Sequence, residues 1–232
     1  MTSPWGAPPL DTLARAVRCA ALEFDRLVQP PPNADEAFLW RELVGCLVGS
    51  AQRFEQAVSA TRRVYVVVGR PWDVDWNEVP AVESSVYRAL IERRPGSIRP
   101  RFPSTHASHV TRALEFFYMR AEGIAPLLAG FASPFEARTA LVSAIPGLGP
   151  KQASLFLRNI GASDDLAVLD RHVLRYMTWI GVETPSRSPA NLRDYTDLES
   201  VLRRHAIRQG YSLGTFDRAV WLTVRCWREV HD

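Results

Sequence analysis

The sequence predicts an all-α protein, and three observations carry that prediction. Apolar residues recur at helical spacing in one segment after another, and capping residues or glycine and proline bound those segments. No stretch of any length alternates apolar with polar residues at period two; Val64 to Val68 is strand-like in composition but continues a helical face. No internal repeat or low-complexity segment competes. With 232 residues, 47% of them hydrophobic, the chain can bury a substantial core. The expected architecture is two helical lobes with a cleft between them.

Residues 1–10 are proline-rich and read as a flexible lead-in; residues 11–232 read as one two-lobed domain. Asp11 is the expected cap of a first helix carrying Leu13, Val17, Phe24 and Leu27, ended by Gln29-Pro-Pro-Pro32. Ala34 to Val48 and Phe54 to Val68 follow as apolar-faced helices joined around Gly49-Ser50-Ala51-Gln52. Gly69 to Pro80 is turn-rich and holds Trp72, Asp73, Asp75 and Trp76; packing of the tryptophans against the body is favoured over stacking on bases. Val82 to Arg93 reads as a helix, with Arg93, Arg94, Arg99 and Arg101 around the break after it, a basic run that is a solvated face unless it lies beside a phosphate site. Ser104 is the expected cap of a helix to about Arg120. Asp194 to Gln209 reads as a helix ending at Gly210, and Thr215 as the cap of a last helix through Val230.

The most informative stretch is Leu141 to Met177. Ser133-Pro134-Phe135-Glu136 is a capping box with proline at the first helical position. Pro146-Gly147-Leu148-Gly149-Pro150 then forbids helix, and glycine there lets another molecule approach the backbone closely. A second helix begins at Lys151, turns Ala153, Leu155, Phe156 and Ile160 inward and stops at Gly161. The result is a helix-hairpin-helix over about 134–161, whose second helix presents free N–H groups suited to a phosphate. Lys151 is the only lysine among 28 lysines and arginines. It could have survived by chance on a solvated helix start, but the hairpin position favours a function that needs an amine able to lose its proton and attack carbon. Asp170 follows in Leu166-Ala-Val-Leu-Asp-Arg-His, where an N-cap aspartate is both a structural cap and a place to hold an ionised carboxylate.

Three widely spaced cysteines, Cys19, Cys46 and Cys226, offer neither a disulfide framework nor a four-cysteine iron–sulfur loop and are expected as buried free thiols. No His, Cys, Asp or Glu cluster has metal-ligand spacing, so no metal is expected. The net charge of +3 modestly favours an anionic partner. No apolar run reaches transmembrane length and no signal peptide is evident, so no membrane partner and a cytoplasmic location are expected.

Gly147-Leu-Gly-Pro-Lys151 followed by Leu169-Asp170-Arg171-His172 resembles the helix-hairpin-helix DNA glycosylase superfamily, and most its compact prokaryotic 8-oxoguanine DNA glycosylase/AP lyase branch. Weaker similarity extends to Glu42-Leu-Val-Gly-Cys-Leu-Val-Gly-Ser-Ala-Gln52, Ile98-Arg-Pro-Arg-Phe102 and Phe216-Asp217-Arg-Ala-Val-Trp221, so that it covers most of residues 35 to 225. The resemblance implies a hairpin lining the cleft and double-stranded DNA carrying a damaged or modified base as partner, with no obligate protein partner. It implies no cofactor, the one ion envisaged being a structural monovalent cation at the hairpin. It makes Lys151 and Asp170 the catalytic pair and Gly147, Gly149, Arg171 and His172 phosphate-binding candidates. Trp221, Asp217 and His106 become base-pocket candidates, and Ser50 and Gln52 the loop that enters the duplex. Without the resemblance, Trp221 and Asp217 read as a buried pair on one helix face, and His106, like His109, as a structural histidine.

The implied reaction turns a nucleotide out of the stack, attacks C1′ with the neutral Lys151 amine, which burial and the positive helix end favour, and nicks the strand by β-elimination. The chain departs from the branch at its end, where Arg225-Cys-Trp-Arg-Glu-Val-His-Asp232 replaces a terminal lysine that helps read the base. A glycosylase for another modified base, including modified invader DNA, and a non-catalytic DNA-binding module therefore remain alternatives.

Overall fold

Helix follows helix along the computed structural model, which describes residues 6–27, 35–50, 52, 54–74, 77, 79–92, 100–120 and 122–231. The α-helices are α1 (Leu10–Leu27), α2 (Glu36–Val48), α3 (Phe54–Val68), α4 (Val79–Ile91), α5 (Pro103–Glu115), α6 (Ile124–Ala129), α7 (Pro134–Ala144), α8 (Pro150–Asn159), α9 (Arg171–Trp179), α10 (Leu192–Arg208) and α11 (Leu213–His231). A 3₁₀ turn at Pro71–Asp73 and a π-helical turn at Phe116–Arg120 complete the described regular structure, which contains no strand. No described helix is long and apolar enough to cross a membrane. The chain divides into two compact units, a central one from Pro31 to Ile160 and a terminal one made of Met1–Pro30 with Gly161–Asp232.

Helix starts differ from the expected caps for local reasons. Leu13 N–H bonds Pro9 O at 2.9 Å, so α1 begins before Asp11, which sits in the first turn where its charge suits the helix end. Pro103 takes the first position of α5, since proline has no N–H to satisfy there, and Ser104 falls inside the helix rather than capping it. Pro150 does the same at α8, one residue before Lys151. Ser212, not Thr215, caps α11: its Oγ accepts the Thr215 N–H at 3.2 Å. Of the cysteines only Cys46 is buried, whereas Cys19 and Cys226 are exposed free thiols on outer helix faces. The expected break at 29–32, Ala51, Asp75, Trp76 and Arg93, Arg94 and Arg99 lie outside the described residues; Trp72 is exposed.

In the central unit α2 is apolar nearly all round, burying Leu39, Trp40, Leu43, Val44, Leu47 and Val48 among α3, α5, α6 and α8. The Trp40 indole N–H ends on Val68 O at the close of α3. Glu36 ties the first turn of α2 to the segment after the π turn. Its carboxylate accepts from Tyr118 OH at 2.8 Å, Ile124 N–H at 2.6 Å and Ala125 N–H at 3.0 Å, thereby capping α6. In the terminal unit α11 is the central helix, packed by α1, α9 and α10. Leu13, Val17 and Ala21 of α1 share its core with Val173 and Met177 of α9, Tyr195 and Leu202 of α10, and Phe216 and Val220 of α11. Glu36→Ala orphans two helix-end amides and a phenol, so chemical denaturation should show a loss of about 2 kcal/mol in unfolding free energy; a change under about 0.5 kcal/mol would contradict this role.

Candidate active site

The sequence-predicted residues fall into two groups, one in each unit. In the central unit the expected capping box forms with its return bond shifted by one residue: Ser133 Oγ accepts the Glu136 N–H at 3.2 Å, and Glu136 Oε2 accepts the Ala132 N–H at 3.0 Å. Helix α7 closes with Ile145 N–H on Leu141 O, and Leu148 N–H returns to Ile145 O at 3.1 Å, forming the turn between α7 and α8. The hairpin glycines are needed for different reasons. Gly147 has φ of 86°, and a Cβ there would lie 2.1 Å from His109 Nδ1 of α5, so a side chain is doubly forbidden. Gly149 caps α8 with extended backbone and is exposed, and a Cβ there would meet nothing within 4 Å. Its smallness leaves the start of α8 open to approach from outside.

Lys151 stands in the first turn of α8, half-buried. Its charge acts on the Cys46 thiol of α2, which burial and then the Glu42 carboxylate push well above the ordinary thiol range while Lys151 opposes them. Cys46 is therefore a neutral thiol beside the lysine. The next residue, Gln152, donates through Nε2 to Cys46 O, and Asn159 Nδ2 donates to Glu42 Oε2 at 3.0 Å, so both ends of α8 are fastened to α2. His106 and Gln52 come together: Gln52 Nε2 donates to Val48 O and lies 3.4 Å from His106 Nδ1, with His106 buried. Gln52 and Ser50 are half-buried, and Gln52 is turned back onto the end of α2.

In the terminal unit Asp170 caps α9 as its position implies, with Oδ1 accepting the His172 N–H at 2.8 Å and the Val173 N–H at 3.0 Å. The helix end thus surrounds a half-buried carboxylate with positive partial charge. Arg171 is exposed and His172 buried. Burial holds the His172 imidazole below its ordinary value, Asp170 opposes that, and Arg171, Arg228 and Arg175 reinforce it. Trp221 is half-buried and meets His172 edge-on at 6.2 Å, while the Arg225 guanidinium lies 5.2 Å over its ring and Arg225 Nε reaches Glu229 Oε1 at 2.9 Å. Asp217 is buried and its Oδ1 accepts the Val168 N–H at 3.3 Å, which gives it a backbone partner in the segment leading to Asp170.

Sequence reasoning missed two residues here and read a third, His109, only as a structural histidine. Tyr195 and Glu199 are buried on α10 and bond the backbone just before Asp170, and His109 braces the hairpin at Gly147. The signal for the first two was present, a tyrosine and a glutamate four residues apart on the apolar face of a helix. Among the described residues no group of three or more His, Cys, Asp or Glu is arranged to hold a metal ion.

The family model for the Ogg helix-hairpin-helix type of 8-oxoguanine DNA glycosylase matches residues 85–210. An 8-oxoguanine DNA glycosylase/AP lyase of Saccharolobus islandicus is 31% identical over 191 residues, 81% of this chain and 83% of its own. One from Sulfurisphaera tokodaii is 29% identical over 203 residues, 88% and 90% of the two chains. The crystal structure of the 8-oxoguanine DNA glycosylase of Thermotoga maritima superposes with a TM-score of 0.65 at 27% identity, covering 93% of this chain and 95% of that one.

Burial depresses the imidazoles of His106, His109, His172 and His205 below their ordinary value of 6.5. These groups take up protons more readily in the unfolded chain, so their effect on stability is absent above about pH 6.5 and becomes a loss as the pH falls below it. The melting temperature should drop between about pH 7.5 and about pH 5.5, less so in His109→Gln; a melting temperature that rises over that range would contradict the buried neutral histidines.

Proposed function

Because the chain belongs to the helix-hairpin-helix 8-oxoguanine DNA glycosylase family, we propose that it is a bifunctional DNA glycosylase/AP lyase releasing 8-oxoguanine from duplex DNA. One observation supports this above the others: the only lysine of the chain stands in the first turn of the second hairpin helix, just behind an exposed glycine that leaves the helix start approachable. A non-catalytic hairpin needs phosphate contacts alone and has no use for a unique amine at that position.

The damaged nucleotide leaves the stack at a cost of a few kcal/mol, offset by phosphate contacts from the backbone at Gly147 and Gly149 and from Arg171 and His172. Ser50 and Gln52 meet the base left unpaired, while Trp221, Asp217 and His106 border the extruded base. The lone pair of Lys151 Nζ attacks C1′ as the bond from C1′ to the base breaks, and the base departs with that electron pair and takes up a proton. The Asp170 carboxylate stabilises the positive charge that grows on the sugar. The nitrogen loses a proton to give an N,O-acetal, whose C1′–O4′ bond then breaks as O4′ takes up a proton, leaving a Schiff base; loss of a C2′ proton follows, and the 3′ C–O bond breaks with its electron pair on the phosphate. We infer that this amine chemistry runs without a cofactor, and a duplex DNA substrate supports a nucleoid-associated location.

One observation favours a second reading. On helix α11 the Arg225 guanidinium, bonded to Glu229 at 2.9 Å, lies 5.2 Å over the ring of the base-pocket candidate Trp221, which suits a different modified base. A panel of duplexes with 8-oxoguanine and other modified bases separates the two by which base is released.

Lys151→Gln should cut strand nicking by about 10³-fold or more while leaving duplex affinity within about threefold, and full nicking by this variant would exclude Lys151 as nucleophile. Asp170→Asn should slow base release by about 10²-fold in single-turnover assays. An unchanged rate constant would remove Asp170 from the chemistry.

A further inference from the structure

Residues 164–169 belong to neither helix nor strand, yet Leu166, Ala167 and Leu169 are fully buried. Buried amides require partners, and here side chains supply them in series. The Ala167 N–H donates to Glu199 Oε1 at 2.8 Å, the Val168 N–H to Asp217 Oδ1 at 3.3 Å and the Leu169 N–H to Tyr195 OH at 3.0 Å; the Tyr195 OH donates in turn to Ala167 O at 2.8 Å. The next residue is Asp170. Upstream, Arg203 of α10 holds both Asp165 Oδ2 and Asp165 O at 2.9 Å and lies 3.6 Å from Glu199 Oε2. Gly214 N–H donates to Asp164 O at 2.8 Å.

A glutamate and a tyrosine buried to this degree are costly unless fully bonded. A segment that only had to be covered could have met its amides with a helical turn of its own. Lacing three consecutive amides to side chains of two separate helices fixes the direction in which the backbone enters α9, and with it the Asp170 carboxylate.

We propose that Tyr195 and Glu199 are positioning residues for Asp170, a clamp that sets where its carboxylate lies relative to the reacting sugar. The proposal rests on Asp170 being the carboxylate of the glycosylase reaction. Neither residue touches DNA in this scheme; both act through the peptide that carries Asp170.

Tyr195→Phe keeps the ring and removes both hydrogen bonds. Glu199→Ala removes an acceptor, whereas Glu199→Gln keeps a carbonyl oxygen for the Ala167 N–H. The test measures the single-turnover rate constant for 8-oxoguanine release, with active enzyme titrated by trapping on an abasic duplex, in the wild-type background and in the Asp170→Asn background. Tyr195→Phe and Glu199→Ala should each be about tenfold slower than wild type, Glu199→Gln within about threefold of it, and each effect should shrink to under about twofold when Asp170 is already asparagine. A purely structural role lowers the active fraction or slows both backgrounds alike, and either result would overturn the clamp, as would unslowed variants. If Tyr195→Phe does not fold, the Glu199→Ala and Glu199→Gln pair decides alone. Wild-type protein that releases no 8-oxoguanine would overturn the activity reading and the clamp's catalytic role with it, whereas wild-type release with unslowed variants overturns the clamp only.

Discussion

A backbone amide taken out of water must find an acceptor, and in the terminal unit that requirement falls on the peptide immediately before Asp170. Three side chains from α10 and α11, Glu199, Asp217 and Tyr195, receive the amides of Ala167, Val168 and Leu169. The rest of the unit follows from keeping those helices in place. Helix α11 packs against α1, α9 and α10, so the first helix of the chain and the last share one core. Asp170 then completes the run by accepting two amides of α9, which orders a carboxylate without burying it fully.

The central unit solves the complementary problem of holding an amine at an approachable helix start. Gly147 turns the chain where His109 leaves no room for a side chain, and Gly149 leaves the mouth of α8 open. Lys151 is anchored from behind, since Gln152 grips Cys46 O and Asn159 reaches Glu42 of α2. The apolar α2 thus serves both as core of the unit and as support for the helix bearing the lysine.

What was legible in the sequence was local. The capping box at Ser133, the glycine stop at Gly161 and the cap at Asp170 each involve residues within four positions of one another, and each forms. The expected caps at Asp11, Ser104 and Thr215 missed by one to three residues because a neighbouring proline or serine serves the helix end better. Long-range partners were not legible. Tyr195 and Glu199 lie 26 and 32 residues from the amides they bind, and although their spacing with Leu202 and Ala206 marks a buried helix face, it does not say which amides they receive. The same holds for Glu36, whose partners begin 82 residues away and whose carboxylate caps a short helix that sequence reading did not foresee. Of the two histidines of α5, His106 sits beside Gln52, and His109, expected as a structural histidine, packs against Gly147 of the hairpin.

Borohydride trapping addresses the central claim most directly, because it captures the covalent bond proposed between Lys151 and the sugar. Labelled duplexes carrying 8-oxoguanine opposite cytosine, or an abasic site, are incubated with the protein and reduced. The chemistry derived above predicts a covalent adduct on the 8-oxoguanine strand. Trapping on the abasic strand alone would keep the nucleophile and contradict the substrate, and no adduct on either duplex would contradict the amine mechanism altogether.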